Sequence, residues 1–279
     1  MDALVTTEWL AGELGASDLR IVDASWFQPE HGRNAAAEYE EAHIPGAVFM
    51  DLADLADANT DLPAMLPPPE KFASRMQSLG LGDGSRIVLY DNSPLHTAAR
   101  AWWMLSTFGA HDVAILDGGF AKWVAEGRET ASGKETLRHR HFTVWADTAG
   151  VRTLDQMKAN LDTKTEQVVD ARSAARFTGE EPDPRPATHA GHIPGSKNIP
   201  YGEFFNDDGT WKQGDALSAV FAQAGVDPAK PLVATCGSGI TAAVIAFAAT
   251  LLGGKPALYD GSWAEWGRDR STPKATATA

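Results

Sequence analysis

The chain holds a single cysteine, Cys236, and its neighbours are those of a reactive sulfur rather than of a packed one. An apolar run, Leu232 to Ala234, ends at Thr235; Cys236 opens a short Gly-Ser-Gly turn, and an alanine-rich apolar segment begins near Thr241. This pattern predicts strand, tight loop and helix. Such a loop turns backbone N–H groups toward its centre, and the positive end of the helix dipole adds to them. Negative charge on a sulfur at that point is held by both, so the chemistry expected is that of a thiolate nucleophile that takes up a group and passes it on. By residue type alone, a lone cysteine is more often a buried small hydrophobe. The flanking glycines, the following helix and the place at a strand end favour the reactive reading.

The elements that must position this loop occur twice. Ile21-Val22-Asp23-Ala24 returns as Val168-Val169-Asp170-Ala171, and Ala42-His43-Ile44-Pro45-Gly46-Ala47 as Gly191-His192-Ile193-Pro194-Gly195-Ser196. Leu116 to Trp123 (LDGGFAKW) returns as Tyr259 to Trp266 (YDGSWAEW). Three blocks in one order, at offsets of 147, 149 and 143 residues, indicate a duplicated domain, and the period is too long for a solenoid. In the first copy strands are expected at 19–23, 48–50, 86–90 and 113–116, with helices at 6–14, 70–79, 98–108 and 121–126; in the second, strands are expected at 167–170, 232–235 and 257–259. Strands separated by helical stretches imply an α/β fold: two tandem domains, each a parallel sheet flanked by helices on both faces. The expected division is 1–135 for the first domain, 136–152 for a surface linker, 153–270 for the second domain and 271–279 for a disordered tail. Laying Arg86–Asp91 over Pro231–Cys236 puts Asp91 at the cysteine position, so only the second copy carries a nucleophile.

These motifs resemble, along nearly the whole chain, the two-domain rhodanese-type sulfurtransferases. The duplicated His-Ile-Pro-Gly, the Arg-Ala-Trp-Trp-Met-Leu at 100–105, the Cys236 loop and the segment 259–266 all match. Cys236-Gly237-Ser238-Gly239-Ile240-Thr241 is similar to the loop of the 3-mercaptopyruvate sulfurtransferase branch, with Ile240 where valine is usual; thiosulfate sulfurtransferases typically carry Arg-Lys after the cysteine. The resemblance implies a Cys236 persulfide, proton relay by Ser238 with Thr241 beside it, and support from the amides of Gly237, Gly239 and Ile240. It also implies that Arg176 and Arg185 clamp the donor's carboxylate and ketone, a task suited to guanidinium forks. Without the resemblance, ion pairing with Glu180, Glu181 and Asp183 is the simpler role for these arginines. His43 is implied as a relay partner of the loop serine, although Gly-Arg-Asn at 32–34 offers Asn34 where an aspartate would complete that relay. A purely structural role for both His-Ile-Pro-Gly turns fits the residues as well. With no second cysteine to resolve a persulfide internally, an external thiol such as thioredoxin is expected to accept the sulfur from the small-molecule donor.

Composition narrows the alternatives. A net charge of −13 without a basic cluster argues against nucleic acid. No apolar run reaches the roughly 18 residues of a membrane span. The start, MDALVTTEWL, has neither a basic nor an apolar leader region, so export is not expected, and one cysteine suits a reducing cytoplasm. Eight scattered histidines show no zinc spacing, so neither metal nor other cofactor is expected. Three rival functions remain on the same fold: a thiosulfate:cyanide sulfurtransferase, a cysteine phosphatase and a non-enzymatic binding module. A phosphatase loop would need an arginine closing Cys-x5-Arg around three phosphoryl oxygens, and here Thr241 closes a shorter loop. Binding modules of this fold usually lose the cysteine, which the second copy keeps.

Overall fold

A computed structural model describes residues 1–136 and 138–277 of the chain. The residues fall into two compact units. One comprises Met1–Asp57, Leu66–Asp147 and Asn206–Trp211; the other comprises Ala58–Met65, Thr148–Phe205 and the chain from Lys212 onward.

The first unit runs β1 (Leu4–Val5), α1 (Thr7–Glu13), β2 (Leu19–Asp23), α2 (Ala35–Glu41), β3 (Ala47–Phe49), α3 (Leu52–Leu55), α4 (Pro69–Ser78), β4 (Arg86–Tyr90), α5 (Ala98–Thr107), β5 (Val113–Leu116) and α6 (Gly119–Ala125). Its sheet has the order β1-β5-β4-β2-β3, all parallel. The second unit repeats the plan with β6 (Val151–Arg152), α7 (Leu154–Thr163), β7 (Gln167–Asp170), α8 (Ala174–Thr178), β8 (Lys197–Asn198), α9 (Gly214–Gln223), β9 (Leu232–Thr235), α10 (Ala242–Leu251), β10 (Ala257–Tyr259) and α11 (Ser262–Trp266). Its sheet order, β6-β10-β9-β7-β8, is the same and again parallel. Helices cover both faces of such a sheet, so its inner strands are apolar throughout rather than alternating. The sequence shows this directly in Leu232–Thr235, where every residue is buried.

Strand register fixes the overlay of the two copies. Asp23 pairs with Tyr90 in one sheet and Asp170 with Thr235 in the other. The next residues, Asp91 and Cys236, therefore leave the carboxyl end of the same central strand, where parallel sheets bind their ligands. α10 explains its own composition: Ala242 to Ala249 are all buried, and a helix surrounded by protein is apolar on every side. Its small side chains let the neighbouring elements approach closely.

The expected inner strands appear within a residue of their predicted bounds, because each is built on a short apolar run that leaves little choice. The short edge strands β1, β6 and β8 and the helices α2 and α3 carried too little periodicity to be read. Residues 136–152, the expected surface linker, are largely exposed and are tied down along the surface: Asp83 N–H donates to His141 O, Thr143 N–H to Asp83 Oδ1 and Trp145 N–H to Phe108 O, and Phe142 is buried against Phe72. Leu137, within that stretch, lies outside the described residues. One expectation is corrected: the segment 271–277 is not a disordered tail. Thr272 is buried with its hydroxyl on Trp266 O, Ala275 bridges His192 in both directions, and Ala277 N–H reaches Thr178 O. Backbone pairing holds it without any apolar face of its own. The expected tail's last two residues, 278 and 279, lie outside the described residues.

Candidate active site

The loop Cys236–Thr241 connects β9 to α10. Cys236 is only 1% exposed, yet its sulfur is not set against hydrocarbon: Gly239 N–H donates to Sγ at 3.1 Å. Gly239 has φ +81°, a left-handed conformation that turns its amide back toward the sulfur and that a side chain would resist. Among the described residues Gly239 is the loop amide that meets Sγ at hydrogen-bonding distance. The amide of Cys236 itself is turned away and donates to Ser262 Oγ at 3.2 Å. On the other side of the same residue, Trp263 N–H donates to Cys236 O at 3.0 Å and Ala264 N–H to Gly237 O at 2.9 Å. The turn after β10 thus grips the nucleophile's backbone from both ends. Ser238 and Thr241 are half-buried and are the loop's water-facing members.

The cations come from a different segment. Arg176 sits on α8, whose first turn is capped by Ser173, and Arg185 follows in the loop beyond it. Both guanidinium groups converge on Asp183, whose side chain is 1% exposed: Arg176 Nη2 donates to Oδ2 at 2.7 Å, while Arg185 Nη1 bonds Oδ1 at 2.9 Å and Oδ2 at 3.0 Å. Arg185 N–H also donates to Asp183 Oδ1. Of the three acidic residues nearby in sequence, only Asp183 does this, and sequence reasoning gave it no role beyond surface pairing. Arg176 Nε is buried and has no partner among the described residues. Buried donors are rarely left without an acceptor, so this one is open to an oxygen of water or of a ligand. Arg185 reaches the cysteine loop, since a Cβ on Gly237 would stand 2.6 Å from its Nη2. Gly237 is the residue that lets the guanidinium lie against the loop.

A comparison of the two copies shows where this segment comes from. Phe177 stacks on His192 and accepts from its Nδ1 at 2.8 Å; Tyr39 stacks on His43 and accepts from its Nδ1 at 2.7 Å. The equivalent aromatic and histidine are four residues apart in the first copy and fifteen apart in the second. Asp183 and Arg185 lie in the extra length. The histidines themselves are 0% and 1% exposed, and each ties the end of a helix to the His-Ile-Pro-Gly turn. A carbonyl can only accept, so Nδ1 carries the proton in both. Asn34 caps α2 by accepting Ala37 N–H. The geometry around His43 is therefore that of a structural turn shared by both copies.

Asp91 occupies the nucleophile's place in the first unit. It accepts Ser93 N–H and Ala98 N–H, capping α5, and burial raises its pKa to about 7. A cavity of about 340 Å³ opens beside it, lined by Arg33, His96 and Trp211 among others, with nothing on the loop that could form a persulfide. Among the described residues no group of histidine, cysteine or carboxylate side chains could hold a metal ion, and no helix is long and apolar enough to cross a membrane.

Comparison with known proteins agrees with this geometry. The Rhodanese-like domain family matches residues 6–126 and again 153–269. The chain is 43% identical over 272 residues to the 3-mercaptopyruvate sulfurtransferase of Rattus norvegicus, covering 95% of this chain and 91% of that protein. It is 39% identical over 294 residues to the mitochondrial thiosulfate/3-mercaptopyruvate sulfurtransferase 1 of Arabidopsis thaliana, covering 98% and 78%. The crystal structure of SseA from Escherichia coli, a 3-mercaptopyruvate sulfotransferase of the rhodanese fold, superposes with a TM-score of 0.86 at 40% identity, covering 94% of this chain and 99% of SseA. With a doubled α/β plan, one cysteine at the end of the second central strand and this extent of similarity, the chain belongs to the rhodanese-like domain family, as a tandem sulfurtransferase that works through a catalytic cysteine.

Proposed function

We propose that the sulfur donor is 3-mercaptopyruvate and that Cys236 carries the sulfur as a persulfide. The observation that carries this reading is that the cations come from outside the cysteine loop. The loop after Cys236 is neutral, and the cations, Arg176 and Arg185, are held by Asp183 on another segment, with Arg176 Nε awaiting an acceptor. Thiosulfate keeps its charge next to the sulfur it gives up, whereas mercaptopyruvate carries a carboxylate several atoms away. A site whose cations come from another segment, with none in the cysteine loop itself, fits the second.

In the first half-reaction the Cys236 thiolate attacks the donor's thiol sulfur. The donor's C–S bond breaks, its electron pair passes to the carbon, and pyruvate leaves as the enolate. A proton moved from the persulfide to that carbon gives pyruvate and a persulfide anion, with Ser238 as the relay and Thr241 beside it. Gly239 N–H stabilises the attacking sulfur, and Gly237 and Ile240 shape the turn. In the second half-reaction an external thiol, such as thioredoxin, or cyanide attacks the outer sulfur and Cys236 leaves as thiolate. His43 stands outside this scheme, in a turn that His192 duplicates. A reducing, cytoplasmic setting suits an enzyme whose one cysteine must stay free, and the −13 charge speaks against nucleic acid as a partner.

Incubation with mercaptopyruvate and, in parallel, with thiosulfate, followed by mass spectrometry, tests the scheme. One added sulfur atom is expected on Cys236, with none in Cys236→Ser, and kcat/KM is expected to favour mercaptopyruvate. A clear preference for thiosulfate would assign the other donor, a reading that the dual naming of the Arabidopsis relative keeps in view.

A further inference from the structure

Ser262 combines three features that a filler residue would not. It is 0% exposed, it has φ +49°, and its hydroxyl accepts the N–H of Cys236 at 3.2 Å while donating to Tyr259 O at 2.8 Å. Left-handed backbone is disfavoured for any residue with a Cβ, and glycine is the ordinary occupant. The first copy has that occupant: Gly119, at φ +57°, aligns with Ser262 in the repeated block. The backbone clamp is otherwise common to both copies, since Phe120 N–H donates to Asp91 O at 3.0 Å just as Trp263 N–H donates to Cys236 O at 3.0 Å. In the first copy a Cβ at Gly119 would fall 2.6 Å from Asp91 O, so the fold does not need a side chain there and resists one. A strained, buried serine is thus kept only in the copy that holds the nucleophile, and its hydroxyl touches the nucleophile's own amide.

We propose that Ser262 is a positioning residue for sulfur transfer, holding the Cys236 backbone so that Sγ stays against the Gly239 amide. The peptide unit before Cys236 is fixed by Ser262 Oγ and the one after it by Trp263 N–H. With both fixed, the Cα–Cβ bond has one direction, and Sγ meets its donor without searching. Without the hydroxyl the Cys236 N–H loses its acceptor in a buried site and the loop relaxes to satisfy it. The proposal rests on Cys236 being the nucleophile, not on which donor it uses.

The experiment uses the full chain with Ser262→Gly and Ser262→Ala. Glycine removes the hydroxyl and relieves the φ strain; alanine removes the hydroxyl and keeps it. Because Cys236 is the only cysteine, its reaction with methyl methanethiosulfonate, followed by mass spectrometry, reports that residue alone. The thiolate attacks the reagent's sulfur and methanesulfinate leaves, which imitates attack on a donor without depending on the donor's identity. Both variants are expected to react about tenfold more slowly than wild type, equivalent to about 1.4 kcal/mol. Ser262→Gly is expected to keep its thermal midpoint within a few degrees. With mercaptopyruvate, kcat is expected to fall by the same factor while KM stays within about twofold. An unchanged or faster reaction in either folded variant would overturn the proposal, as would loss of fold in both, which would make the hydroxyl a folding element. Absence of turnover in wild type with unimpaired methanethiosulfonate reactivity would instead count against the donor alone.

Discussion

Asp183→Asn separates the proposed donor clamp from the sulfur chemistry. An asparagine can keep Oδ1, which accepts the Arg185 backbone N–H and Arg185 Nη1, but it replaces Oδ2 with an amide NH₂. That group would face Arg176 Nη2 and Arg185 Nη1, two donors with no lone pair between them. Arg185 retains part of its hold, whereas Arg176 loses its side-chain partner. A hydrogen bond between charged groups contributes about 1.5–3 kcal/mol. The two arginine side chains are 19% and 25% exposed, so water screens part of the loss. A net effect of ~2 kcal/mol follows, or about 30-fold in an equilibrium constant. It is expected in the KM for mercaptopyruvate, with kcat within about twofold, because none of the atoms that hold Cys236 has changed. Steady-state kinetics with urea unfolding alongside measures both, and the stability loss should be of similar size. A KM within twofold of wild type in a folded variant would refute the assignment of Arg176 and Arg185 to donor binding.

Gly237→Ala puts a Cβ where Arg185 Nη2 lies; the flexible guanidinium yields, so KM should rise several-fold with stability nearly unchanged, and a normal KM would show that Arg185 does not need that place. Asp170→Asn breaks a buried pair whose side chains are 1% and 3% exposed, with Arg172 also bonded to Gly191 O, and should cost about 3–5 kcal/mol in chemical denaturation; a loss below about 1 kcal/mol would contradict it. Asp91 gives a pH dependence of definite sign. Its folded pKa of about 7 lies above the ordinary value of 3.8, so the folded chain keeps a proton that the unfolded chain releases, and stability falls as pH rises from about 4 to 7. The full window would be worth about 4 kcal/mol, and the partial exposure of the side chain reduces this to ~1–2 kcal/mol. Urea unfolding at several pH values should show that fall in wild type and its absence in Asp91→Asn; parallel profiles would remove Asp91 as the cause.

The sequence by itself determined what depends on near neighbours. The βαβ plan follows from apolar runs and helical periodicity, the duplication from repeated blocks, and the cysteine loop from Thr235-Cys236-Gly237-Ser238-Gly239 read in order. Arg176 and Arg185 were legible only through resemblance, since charged residues beside acidic ones look alike whether they bind a ligand or water. Tertiary structure decided which acid anchors them: Asp183 rather than Glu180 or Glu181, because burial and direction of a carboxylate are set by the surrounding chain. It also decided that Ser262, 26 residues beyond the cysteine, should meet its amide. That the segment 271–277 pairs with His192, and that Asn206–Trp211 groups with the first unit, are likewise facts of long-range contact. A hydrogen bond is short and directional, so residues far apart in the chain acquire such partners only once the sheets have fixed where each strand ends.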